Sequence, residues 1–114
     1  MYKVEMFYFS SLSNNSYKIG KTYCTKGEVK VWQSSLARRV EELSIPIASK
    51  YLIQIEGFFW DSRHPDIHNL HKVIGDAIKV GLKVDDKKFF FRDKDINLGY
   101  LDEKLVIGIE PILE

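Results

Sequence analysis

Lys50-Tyr51-Leu52-Ile53-Gln54-Ile55-Glu56-Gly57-Phe58-Phe59 begins the stretch that decides the fold; it continues through an apolar-periodic segment, Leu70 to Ile78, to Lys88-Phe89-Phe90-Phe91-Arg92. The first segment alternates apolar and polar at Leu52, Ile53 and Ile55 and predicts a strand. The second places Leu70, Val73, Ile74, Ala77 and Ile78 on one helical face. Gly81 is a natural C-terminal residue for that helix, because glycine tolerates the left-handed conformation. The third segment is aromatic and predicts another strand.

Working outward, Val4 to Phe9 is β-branched and aromatic and reads as a strand. Ser10 to Ser16 is a Ser/Asn loop, since these side chains bond their own backbone and interrupt ladders. Tyr17 to Ile19 and Thr22 to Cys24 flank Gly20-Lys21 as a small hairpin. Thr25 with Glu28 has capping-box spacing. The helix it opens should run to about Leu43, with Val29, Trp32, Leu36, Val40 and Leu43 at helical spacing and Ser44-Ile45-Pro46 as its end. Lys104 to Ile109 forms a last strand, closed by Pro111. The order strand, β-hairpin, helix, strand, helix, strand, strand predicts an α+β fold, a mixed β-sheet covered by two helices, in one domain spanning residues 1–114.

Composition bounds the function without choosing it. The chain has 114 residues, ordinary apolar and charged fractions, and a net charge of +1, so a basic excess is not what marks it. Cys24 is the only cysteine, which excludes an intrachain disulfide and fits a reducing compartment. Met1 to Glu5 lacks an apolar signal segment, and no apolar run approaches the ~20 residues of a membrane span. The expectation is a soluble, cytoplasmic protein.

The chemistry concentrates in His64-Pro65-Asp66-Ile67-His68-Asn69-Leu70-His71-Lys72 and in Asp85-Asp86. Were residues 59–68 extended, His64, Asp66 and His68 would project one way, and Asp66 and His68 could share a metal ion. Once the helix begins near Asn69, Lys72 and Asp76 lie four residues apart on the face opposite Leu70, Ile74 and Ile78. Asp85 and Asp86 fall in the turn after the helix, and reach its N-terminal end only if the next strand carries them back. Taken singly, each residue has an ordinary use: Asp66 as a helix cap, Asp85-Asp86 as a solvated turn, Lys72 as a surface lysine. Their joint spacing points to divalent-metal phosphodiester chemistry.

Asp66-Ile67-His68-Asn69-Leu70-His71-Lys72, then Gly75-Asp76-Ala77-Ile78, then Gly81-Leu82-Lys83-Val84-Asp85-Asp86, resembles the signature of RusA-type Holliday junction resolvases (Asp-x-Asp-Asn-Leu-x-Lys, an Asp-Ala-Leu helix, a Gly-x-x-x-Asp-Asp turn). Ser13-Asn14-Asn15 before Tyr17 is similar to the family's N-terminal loop. The resemblance covers about residues 7–92. It implies a dimeric, magnesium-dependent endonuclease that cuts four-way DNA junctions. Asp66 and Asp86 match the family's metal-binding aspartates and Lys72 its catalytic lysine. Asn69, Asp76 and Asp85 fall at supporting positions; Asn14 and Asn15 of the loop, with Lys18 and Lys21 of the hairpin, are candidate DNA contacts.

One departure bears on the cofactor. His68 stands where the family has its second aspartate. Magnesium prefers oxygen ligands, whereas imidazole suits manganese, zinc, nickel or iron. The expected cofactor is therefore Mg2+ or Mn2+, held by Asp66, His68 and Asp86. Carboxylate-held ions would activate water and stabilise the charged phosphate, and a lysine would balance developing charge. Lys26, Lys30, Arg38 and Arg39 are further candidates for phosphate contacts that set register. A four-way junction is approximately two-fold symmetric, and two-fold dimers are the commonest oligomers, so a homodimer is expected. Some of the aromatic surface of Phe58, Phe59, Trp60 and Phe89 to Phe91 is available to an interface. Two alternatives stay open: a branched-DNA-binding protein with catalysis weakened at His68, and a non-nucleolytic metal-binding or interaction domain whose motif match is accidental.

Overall fold

The computed structural model describes residues 1–13, 18–19, 22–23 and 27–113, with residues 18–19 and 22–23 as backbone alone. Strand β1 is Tyr2–Phe7, and β2 (Lys18–Ile19) and β3 (Thr22–Tyr23) form the expected antiparallel hairpin. Helix α1 (Gly27–Glu42) leads to β4 (Lys50–Phe59), α2 (His71–Leu82), β5 (Phe89–Leu98) and β6 (Lys104–Ile112). The main sheet has the order β1-β6-β4-β5. β4 runs parallel to β5 and antiparallel to β6, so the sheet is mixed. The fold is α+β, as the sequence predicts.

β4 sits inside the sheet and buries every second residue. Tyr51, Ile53, Ile55 and Phe59 face inward with Val4, Met6, Leu105, Ile107 and Ile109 of the neighbouring strands. Trp32, Leu36 and Val40 of α1 and Val73, Ile74, Ala77 and Ile78 of α2 complete the same core. Both helices therefore cover one face. The other face carries Leu52, Gln54, Glu56 and Phe58, all half-buried. Of the aromatic cluster, Phe59 and Phe89 are core, whereas Trp60 and Phe90 are each 49% exposed. No helix among the described residues is long and apolar enough to cross a membrane.

Three strands differ in their bounds from expectation for identifiable reasons. β1 begins and ends two residues early, because Phe9 precedes a short 3-10 helix at Ser10–Leu12. β5 extends past Arg92 to Leu98, pairing along the full length of β4. It lies at the sheet edge, where a strand needs no apolar alternation. Pro111 does not close β6 but lies within it, opposite Tyr51. Odd-numbered residues of β6 point their backbone groups toward β1, as the bond from Tyr8 N–H to the Glu103 carbonyl indicates. β1 pairs no further than Ile109, so the missing proline N–H leaves no bond unmade. Thr25, the expected cap of α1, lies outside the described residues.

Gly81 has a different role from the one predicted. α2 continues through it to Leu82, and Lys83 takes the left-handed cap conformation with φ 60°. A Cβ at Gly81 would lie 2.7 Å from the Ala37 carbonyl oxygen and 2.9 Å from Val40 Cβ. The glycine thus lets α2 approach the backbone of α1. Gly81→Ala should destabilise the fold by about 1–3 kcal/mol through overpacking, measured as a lower denaturation midpoint at unchanged m-value. A neutral substitution would refute the close helix contact.

Candidate functional site

After Phe59 the chain does not stay extended. It bends, and the His64 ring stacks on Phe59 with centroids 5.5 Å apart. The His64 Nδ1 lies 2.9 Å from the Pro65 carbonyl oxygen. The expected common projection of His64, Asp66 and His68 is therefore not found, because His64 packs against the end of β4.

Asp66 is extended, at φ −71° and ψ 125°, and caps a 3-10 helix at Ile67–Leu70. Its carboxylate accepts the His68 N–H at 3.0 Å, and its carbonyl accepts the Asn69 N–H at 2.9 Å. Ile67 and Leu70 are buried and pin the turn to the core, leaving Asp66, His68 and Asn69 exposed. Lys72, in the first turn of α2, places its ammonium 3.4 Å from the Asp76 carboxylate, as the four-residue spacing predicts. The pair is largely solvated, so it contributes little to the stability of the fold.

Two residues not singled out in the sequence complete this end of α2. His71 Nε2 lies 2.6 Å from Asp93 Oδ1 of β5. The His71 ring stacks on Phe91 at 4.5 Å and 16°, and lies 4.7 Å from the His68 ring. His71 occupies the unspecified position of the motif, and Asp93 belongs to a charged run. No local spacing links residues 22 positions apart; only the return of β5 beside α2 does.

Asp85 and Asp86 lie at the other end. Asp85 caps a 3-10 helix at Asp86–Lys88, its carboxylate accepting the Lys87 N–H at 3.1 Å. The 12 residues of α2 separate this turn from Asp66, a rise of about 18 Å. The return strand gives the same scale: His71 meets Asp93, seven residues beyond Asp86 and roughly 15–20 Å along the chain. Asp66 and His68 are thus near one another, but Asp86 is not near either within one chain. Among the described residues no three His, Cys, Asp or Glu side chains are grouped to hold a metal ion. The donor set Asp66, His68 and Asp86 does not fit a magnesium or manganese ion in a single copy.

The basic residues are placed in part. Lys30, Ser34, Ser35, Arg38 and Arg39 line an open groove on α1, and Arg39 also donates to the Glu5 carbonyl at 2.6 Å. Lys26 and the expected DNA contacts Asn14, Asn15 and Lys21 lie outside the described residues, as does the Lys18 side chain. No family model matches the chain, and no curated protein matches it either.

Asp85 offers a check on this geometry. The backbone N–H of Lys87, aided by the nearby Lys87 charge, holds its carboxyl below the ordinary value of 3.8. A depressed carboxyl stabilises the fold fully above that ordinary value, and the contribution fades as pH falls through the lowered one. A carboxyl-detected NMR titration should place the Asp85 midpoint below 3.8, the ordinary value. Asp85→Asn should lower stability near neutral pH and make little difference in strong acid. A midpoint at or above the ordinary value would mean the cap is not formed.

Proposed function

We propose that the chain is a divalent-metal-dependent, structure-selective endodeoxyribonuclease that cuts four-way DNA junctions as a homodimer. The observation that carries this reading is the exposed polar end of α2. There Asp66, His68, Asn69 and Lys72 stand clear of the core on a turn anchored by buried Ile67 and Leu70. A carboxylate, an amide and an ammonium held on a rigid support are what a phosphodiester needs for orientation and charge balance. Lys72 has the reach for a phosphate oxygen, and Asp76 restrains its direction.

One copy does not bring Asp86 to Asp66, so no chemical step is written through an ion bound by that set. On the homodimer reading, a second copy supplies Asp86 to the Asp66 end of the first. The separation of the two carboxylates, with His68 in place of an aspartate, specifically favours the second reading: a branched-DNA-binding protein with weakened catalysis.

Mixed dimers separate these readings. Asp66→Asn and Asp86→Asn proteins should each fail to cut a synthetic four-way junction with magnesium or manganese. Refolded together, they form heterodimers in which one shared site keeps both aspartates, and nicking of one strand should return. A site built within one copy would be broken in every chain of the mixture, and no activity would return. Junction binding by an uncut wild-type complex would establish the binding-only reading. No binding at low salt, where phosphate contacts are strongest, would reject both.

Lys72 and His68 give two further expectations. Lys72→Ala should lower turnover by a factor on the order of 10²–10³, with a smaller loss of junction affinity, because positioning contacts lie elsewhere. Wild-type cleavage by that variant would remove Lys72 from the mechanism. Manganese should support faster cleavage than magnesium, and His68→Asp should shift the preference toward magnesium; an unchanged preference would separate His68 from the metal.

A further inference from the structure

We infer that His68 and His71 form a two-imidazole site for a borderline divalent transition metal ion, of the zinc, cobalt or nickel class, with Asp93 as the carboxylate that orients the His71 ring. The inference concerns a single copy and stands whether or not the chain cuts DNA.

The local backbone puts the two rings together. Ile67–Leu70 is a 3-10 helix, and His71 N–H bonds the His68 carbonyl at its end. Side chains three residues apart eclipse in a 3-10 turn, whereas in an α-helix they are offset. His68 is therefore set directly over His71. Their ring centroids lie 4.7 Å apart. Two imidazoles bound tetrahedrally to one ion at zinc–nitrogen lengths have centroids about 5 Å apart. The pair is thus near ligating separation without any change in backbone.

The second feature is the support behind His71. Its Nε2 is engaged by Asp93 at 2.6 Å, which leaves Nδ1 as the nitrogen for a metal. A carboxylate on the far nitrogen of a ligating imidazole fixes the tautomer and raises basicity, and is the usual companion of metal-bound histidine. Phe91 stacks flat against the ring and fixes its plane. His71 retains a fifth of its side-chain exposure and His68 is exposed, so an ion can enter from solvent. Asp66 Oδ1 caps the turn, so the site is argued on the two imidazoles alone. Two protein ligands leave coordination positions for water or a phosphate oxygen. The nitrogen donors disfavour magnesium, which demands oxygen.

Titration of untagged full-length protein with cobalt(II) chloride, followed by visible absorption, tests the site. One equivalent should bind per chain, be displaced by zinc, and resist excess magnesium. His68→Gln and His71→Gln should each weaken binding at least tenfold, and Asp93→Asn should weaken it 10- to 100-fold. Cys24→Ser should bind as the wild type does. His68 is exposed, so its variant tests the site even if His71→Gln fails to fold, and thermal melts verify each protein. Absence of cobalt and zinc binding, or binding that survives His68→Gln, overturns the inference. Loss of binding in Cys24→Ser moves the ion to the thiol and overturns it.

Discussion

β4 is the constraint on which the rest of the molecule depends. It is hydrogen-bonded on both sides, and its inward residues meet both helices. Its exit also fixes the site. A Cβ at Gly57 would fall 2.2 Å from the Phe59 ring and 3.2 Å from Ile67 Cδ1. The absent side chain lets Phe59 fold back over the strand and Ile67 pack beside it. Ile67 in turn anchors the turn that begins at Asp66. The position of the polar end of α2 is thus set by packing at the last residues of β4.

How much of this was legible in the sequence differs by residue. β4 was readable to its boundaries, because a central strand with one helix-covered face must alternate. The Leu70, Ile74 and Ile78 stripe was readable for the analogous helical reason, and Lys72–Asp76 followed from it. The role of Gly81 was not, because a glycine near a helix end reads the same whether it supplies a left-handed cap or a close contact. Only the position of α1 distinguishes the two. Asp93 was hidden for a related reason. Edge strands carry charge on both faces, so residues 92–95 lack the alternation that marks a strand.

The grouping of Asp66 with Asp86 failed on length. β5 does run back beside α2, as the two aspartates would need in order to meet. It starts, however, at the far end of the helix, because a parallel crossover must return the chain to the level at which β4 began. Asp93, and not Asp86, is what β5 delivers to the N-terminal end of α2. Motif spacing placed residues side by side only where they share one turn, as with Asp66 and His68 or Lys72 and Asp76.

Both sheet edges resist strand addition, which limits how two copies can meet. On β1 the outward carbonyls of Glu5 and Phe7 are occupied by Arg39 and by Trp32 Nε1, the latter at 2.8 Å. On β5 the register shifts between Asp93 and Ile96, and a bulge disrupts an edge ladder. Two-fold antiparallel pairing through its centre would oppose Lys94 with Lys94 and Asp93 with Asp95, or Asp93 with Asp93 and Arg92 with Lys94. Like charges directly opposite are destabilising. Two copies of this chain would therefore have to meet through faces, not edges.

The turn at Ile67–Leu70 joins these arguments. Ile67 and Leu70 are three residues apart and both buried, at 3% and 0% exposure. A 3-10 turn eclipses such a pair, so both can enter the same part of the core. The same geometry brings His68 over His71 on the solvent side, one residue out of phase. The apolar demand that fixes the chain after β4 therefore also stacks the two imidazoles. Replacing the 3-10 turn by α-helix would rotate His68 away from His71 and relax the grip of Ile67 on the core in one movement. Packing and the arrangement of nitrogen donors are, at this turn, a single structural property.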